Sequence, residues 1–161
     1  MIVYPDSSFL VSNYPADSNS PEAARRMASN PMILITPFHQ AEVANALYQW
    51  VFRAKLTTAE ADLTYVDFEQ DCETGVWEMA GFPDGAFDAC GELARRRVAT
   101  LGVRTLDALH VAAALELKAD AFWTFDERQK KLAEIEGLYV RWMNCESFDG
   151  DRAIRHMGCW R

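Results

Sequence analysis

The chain has 161 residues, of which 50% are hydrophobic and 25% charged, with a formal net charge of −8. This length suits one domain with a sizeable core, no apolar run reaches the roughly 20 residues of a membrane helix, and the acidic balance argues against a protein that coats nucleic acid by bulk electrostatics. A small acidic site that meets nucleic acid locally stays open. The opening "MIVYPDSS" has no basic n-region and no cleavage site, so no secretory signal is expected. Cys72, Cys90, Cys145 and Cys159 form no CxxC pair, which fits reduced thiols and a cytoplasmic protein. Cys145, His156 and Cys159 lie near one another, but at no standard zinc spacing.

In chain order, residues 2–4 (Ile-Val-Tyr) read as a short buried strand that stops at Pro5. "SPEAARRMASN" (20–30) has a Ser-Pro helix start. "MILIT" (32–36) is a second strand, and Thr36-Pro37 then supplies an N-cap and a proline at the first helical position, opening a helix to about residue 53. A further helix is expected from about 58 to 72, a strand at 76–79, and a break at "GFPDG" (81–85) followed by a helix that Gly102 ends. The segment 106–118 is a helix, apolar almost all round. "AFWTF" (121–125) is a strand, 127–136 a helix stopped by Gly137, and "LYVRW" (138–142) a last strand. Strands alternating with helices predict an α/β layer fold with a mainly parallel central sheet.

That topology predicts where four acids fall. In a parallel sheet each connecting helix begins at the edge where the strands end. Asp6 follows the first strand and Glu42 lies in the early turns of the helix after the second. Asp107 sits in the first turn of its helix, which descends roughly 18 Å. "AFWTF" climbs back about 17 Å at strand rise, returning the chain to its starting height at Asp126. All four carboxylates are thus expected at the carboxyl edge, where open α/β folds place ligands. Acids crowded in one cleft require a counter-charge, and a hard divalent cation, Mg²⁺ or Mn²⁺, is the natural one for oxygen donors. Such a cluster suits phosphoryl chemistry.

Each residue also has a purely structural reading. Asp126 with Gln129 spells a D-x-x-Q capping box, Asp107 gains from the helix dipole, and Asp6 beside Ser7 and Ser8 suits a turn. Glu42 with Asn45, Ala46 and Gln49 reads as a solvated stripe. His110 reads as a satisfied core histidine, and Arg95, Arg96 and Arg97 as complements to a helix C-terminus or as contacts to an RNA backbone. Only the joint placement of the acids favours function.

The pieces "IVYPDSSFL", "HQAEVANAL", "RTLDALHVAAAL" and "FWTFDERQKKLAEIEGL" together resemble the PIN-domain family, and within it the VapC-type toxins of toxin–antitoxin pairs. The resemblance spans about residues 1–142 and leaves 143–161 as an extension. It implies a three-layer α/β/α fold, and an endoribonuclease that uses Mg²⁺ or Mn²⁺ held by Asp6, Glu42, Asp107 and Asp126. Ser8, Thr105 and Thr124 become supporting hydroxyls, and Asn45 orients Glu42. It further implies attack of activated water on an RNA phosphodiester, leaving a 5′-phosphate and a 3′-hydroxyl, a homodimer, and a cognate antitoxin that blocks the site.

The rival expectations are a nuclease of the same fold that processes RNA without an antitoxin, and a binding module that kept the fold but lost metal affinity. A response-regulator receiver domain fits poorly, because the paired acids near the first strand and the late lysine are missing. "DSS" lacks the second acid of a D-x-D phosphatase.

Overall fold

The computed structural model describes residues 1–140. The expected strand at 138–142 runs beyond them, and the Cys145, His156 and Cys159 grouping and the extension 143–161 lie outside the described residues. Four strands, β1 (Ile2–Pro5), β2 (Met32–Ile35), β3 (Glu78–Met79) and β4 (Ala121–Trp123), form a sheet in the order β3-β2-β1-β4. Every pairing is parallel: Val3 faces Ile33 on one side and Ala121 on the other, and Leu34 faces Glu78.

The helices are α1 (Ser7–Val11), α2 (Ser20–Met27), α3 (Pro37–Phe52), α4 (Thr58–Thr74), α5 (Ala86–Leu93), α6 (Ala99–Leu101), α7 (Thr105–Glu116) and α8 (Glu127–Ile135). Between α5 and α6 the chain widens into a π-helical turn at Ala94–Val98, so the expected continuous helix there is broken by one bulged turn.

Alternation along β1 and β4 builds the layers. Val3, Ala121 and Trp123 point to one face, where they meet Phe9, Ile33, Val43, Leu47, Phe68 and Trp77 from α1, β2, α3, α4 and the turn before β3. Tyr4 and Phe122 point to the other face and pack on α5, α7 and α8. The result is a three-layer α/β/α sandwich with a parallel sheet, the arrangement that the PIN-domain resemblance implies. Because side chains alternate with period two, a one-residue register slip would exchange the two cores.

The all-round apolarity of α7 has its explanation here. Residues Asp107 through Ala114 are all buried, because this helix is clamped between the sheet, α5 and α8. Gly102 (φ +63°) and Gly137 (φ +91°) take the left-handed conformation at the helix ends where the sequence places stops.

One local expectation is corrected, and another is described only in part. The segment after Asp6 is a short helix, α1, rather than a turn. Of the strand expected at 138–142, the described residues form one parallel bridge, Tyr139 with Ala121, beside β4; Phe122 donates its N–H to the Tyr139 carbonyl at 2.8 Å.

Candidate active site

Asp6, Glu42, Asp107 and Asp126 line one cleft of about 520 Å³ at the carboxyl edge of the sheet, together with Ser8, Asn45, Arg104, Thr105 and Gln129. The four acids reach it from four different elements, and each is held by partners of its own.

Asp6 is the N-cap of α1 and is 1% exposed. Its Oδ1 accepts from Ser8 Oγ at 2.7 Å and from the Phe9 N–H at 3.0 Å, and its Oδ2 accepts from Thr124 Oγ1 at 2.7 Å. Ser8 Oγ and Thr124 Oγ1 also accept from the backbone N–H groups of Phe125 and Asp126, at 3.1 and 2.9 Å. The two hydroxyls therefore stitch the end of β1 to the loop after β4. Burial outweighs these hydrogen bonds and the charge of His110, and raises the Asp6 carboxyl above its ordinary value.

Glu42, on the second turn of α3, is bonded to His110 Nε2 of α7. Burial opposes its ionisation, yet the hydrogen bond and charge of His110, aided by Ser7 and Arg104, hold it below the ordinary glutamate range. Tyr4 Oη stands 3.4 Å from His110 Nδ1. His110 is indeed buried and satisfied, as its setting in an apolar helix suggests, but its partner is a carboxylate of the cleft. Asn45 is exposed and lines the cleft without a bond to Glu42 among the described residues; the side chain bonded to Glu42 is His110.

Asp107 occupies the third position of α7. Its Oδ2 accepts from the backbone N–H of Arg104 at 3.2 Å and from Arg104 Nε at 3.1 Å. Its Oδ1 accepts from Gln129 Nε2 at 3.2 Å. Asp126 caps α8, accepting from the Arg128 and Gln129 N–H groups at 2.8 and 2.9 Å through Oδ1. Its Oδ2 has no donor among the described residues. The expected capping box is thus half made: Asp126 caps, but the Gln129 side chain turns to Asp107. The Thr105 hydroxyl lies exposed at the rim.

Three residues that sequence reasoning passed over, or read only structurally, complete the site, and each has a spacing signal. Arg104 and His110 sit three before and three after Asp107, the interval that stacks side chains on one helical face; Gln129 stands at the same interval from Asp126. A fourth, His39, works from behind. Its Nδ1 accepts from the Thr36 N–H at 2.9 Å and its Nε2 donates to the Pro5 carbonyl at 2.8 Å, tying the residue before Asp6 to the cap of the helix that carries Glu42. Arg96 and Arg97, by contrast, pair with Glu136 at 3.3 and 2.7 Å and stand outside the cleft's lining.

The donor set suits a hard cation: carboxylate oxygens from four elements, one of them buried and pushed toward its neutral form, a shift that a positive charge reverses. Arg104 now supplies a positive charge beside Asp107. Among the described residues, no three acidic, histidine or cysteine side chains already close on a common point.

The comparisons agree with this architecture. The solved structure of VapC20 from Mycobacterium tuberculosis, a sarcin–ricin loop cleaving toxin, superposes with a TM-score of 0.60 at 15% identity, covering 80% of this chain and 93% of that one. VapBC2 from Rickettsia felis, bound to a DNA fragment from its promoter, gives 0.59 at 18% identity, with 88% and 98% covered. FitAcB from Neisseria gonorrhoeae gives 0.59 at 14%, with 87% and 96% covered. No curated protein sequence matches the chain. The profile of the PIN domain matches residues 3–135, and the chain is therefore a member of the PIN-domain family.

Proposed function

We propose that this protein is a divalent-metal-dependent endoribonuclease and the toxin of a toxin–antitoxin pair. The observation that carries the reading is the convergence of Asp6, Glu42, Asp107 and Asp126 on one cleft. The fold shared with VapC20, a toxin that cleaves the sarcin–ricin loop, supports RNA as the substrate.

The four carboxylates would hold Mg²⁺ or Mn²⁺, which when bound activates water and offsets charge on the phosphate and the leaving oxygen. The chain's own residues do the positioning. Ser8 and Thr124 fix Asp6, His110 fixes Glu42, and Gln129 fixes Asp107, so that acids from distant segments keep a constant spacing. Arg104 stands at the rim, where its guanidinium can pass from Asp107 to a phosphate oxygen of the substrate. No side chain is needed as a covalent nucleophile. Hydrolysis adds water across the phosphodiester, giving a 5′-phosphate and a 3′-hydroxyl. The protein acts in the cytoplasm as a homodimer, and a cognate antitoxin blocks the cleft.

Incubating structured RNA with the purified protein tests the reading. Cleavage in Mn²⁺ that stops with EDTA and with Asp107→Asn is the expected result; cleavage indifferent to both changes contradicts it.

A further inference from the structure

The stripe of α3 that begins at Glu42 continues through Asn45, Ala46 and Gln49 to Arg53. Its far end walls a second cleft, of about 400 Å³, lined by Gln49, Trp50 and Arg53 and sharing Ser7, Ser8 and Arg104 with the carboxylate cleft. The two clefts adjoin.

The composition of this second wall goes beyond the needs of the core. Trp50 packs part of its surface against the layer of Val43 and Leu47 and leaves the remainder half-exposed in the cleft. Lys55 Nζ stands 5.7 Å from the centre of the same ring. The Arg53 guanidinium is exposed and has no partner among the described residues. Asp17, the one carboxylate of this cleft, already accepts hydrogen bonds from Ser12, Asn19 and Ser20.

Resting on the nuclease reading above, we propose that this cleft takes an unpaired nucleotide a few positions from the scissile bond: Trp50 stacks on its base, Gln49 meets the base edge, and Arg53 and Arg104 hold phosphates on either side. Aromatic faces bordered by cations hold single strands with little regard to sequence, because every base offers a π-face. A duplex keeps its bases stacked inside and offers no such face to Trp50. From Glu42 to Arg53 the helix rises roughly 16 Å, so Trp50 and Arg53 meet the strand about three to five nucleotides from the carboxylates at the rise of a stacked strand. In a chain with net charge −8, bulk attraction to RNA is lacking, so a local cation-and-aromatic wall must supply the grip.

The test measures binding of a labelled oligouridylate and of an RNA duplex in EDTA, by fluorescence anisotropy, together with cleavage kinetics in Mn²⁺. Wild type, Trp50→Phe, Trp50→Ala, Arg53→Ala and Arg53→Glu are compared. The single strand should bind more tightly than the duplex. Trp50→Ala should weaken binding, or raise KM, by about tenfold with kcat little changed, while Trp50→Phe keeps most of the affinity. Arg53→Ala should flatten the salt dependence, and Arg53→Glu should abolish binding. Arg53 is exposed, so its variants carry the test if Trp50→Ala does not fold. Wild-type RNA binding and KM in the Trp50 and Arg53 variants, with cleavage intact, overturn this proposal and leave the nuclease reading standing. So does loss of antitoxin binding alone, which would make the cleft a protein site. A wild-type protein that neither binds nor cuts RNA removes both.

Discussion

Gln129 Nε2 donates to Asp107 Oδ1 at 3.2 Å, joining the first turn of α8 to the first turn of α7 across 22 positions of sequence. The same residue's N–H is capped by Asp126, so one glutamine sets the distance between two of the four acids. Its Oε1 is buried with no partner among the described residues. Gln129→Leu removes one orphaned acceptor but leaves Asp107 Oδ1 without its donor, and stability should fall by about 1–3 kcal/mol. Cleavage should fall at least about tenfold, because misplacement of a catalytic group is costly. Urea melts and kcat measured side by side check the separation.

Metal should stabilise the folded chain. An ion that binds only the native state adds about 2.7 kcal/mol at a hundred times its Kd, which for a domain of this size raises Tm by roughly 5–10 °C. Differential scanning fluorimetry with millimolar Mg²⁺ or Mn²⁺ should show that rise in the wild type and little of it in Asp107→Asn.

On the proposed reading, Arg104 and a cation should compete for Asp107. The Arg104 side chain is 78% exposed, so its ion pair is weak and solvent-screened. Arg104→Ala should therefore strengthen Mn²⁺ binding by up to about fivefold, while weakening RNA binding and flattening its salt dependence. Titration calorimetry with Mn²⁺ reads the first effect and anisotropy the second.

His39 gives a pH dependence whose sign is fixed. Burial, with the charge of His110 adding to it, pushes the His39 pKa down to about 3, and its Nδ1 is engaged as an acceptor. Tyr4 and His110 are the titratable rings packed against it. Below about pH 6.5 the unfolded chain takes up a proton that the folded chain refuses until near pH 3. The folded state therefore loses stability as pH falls through that window, by about 1.4 kcal/mol per unit from this group. Urea unfolding at pH 7.5 and 5 should show a steeper loss in the wild type than in His39→Gln.

The sequence made the frame readable where signals are local. Thr36-Pro37, Gly102 and Gly137 mark helix ends by their own chemistry, and the continuous apolarity of 106–118 announces a buried helix. The four acids were legible because parallel topology converts element order into a common edge. Ser8 and Thr124 came from the family likeness, and both prove to bridge Asp6 to the loop after β4. What sequence did not disclose is which side chain meets which across the core. Nothing local to Glu42 indicates His110, 68 positions away; Asn45, one turn along, was the nearer candidate and faces solvent. In sequence Gln129 reads as a reciprocal cap because that bond is local, whereas tertiary packing offers its side chain Asp107. α1 was missed because a helix of five residues has too few positions for a periodicity. Of the segment 138–142, Leu138 and Val140 enter the core beside α8 and Tyr139 forms a bridge to Ala121; its last two positions lie outside the described residues.

Asp6, Glu42, Asp107 and Asp126 are proposed to gather around bound divalent metal. The most direct measurement is an anomalous difference map from crystals grown with Mn²⁺. A peak within coordinating reach of these carboxylates, with Arg104 drawn away from Asp107, is the predicted result. Manganese bound elsewhere, or none at concentrations that support cleavage, contradicts it.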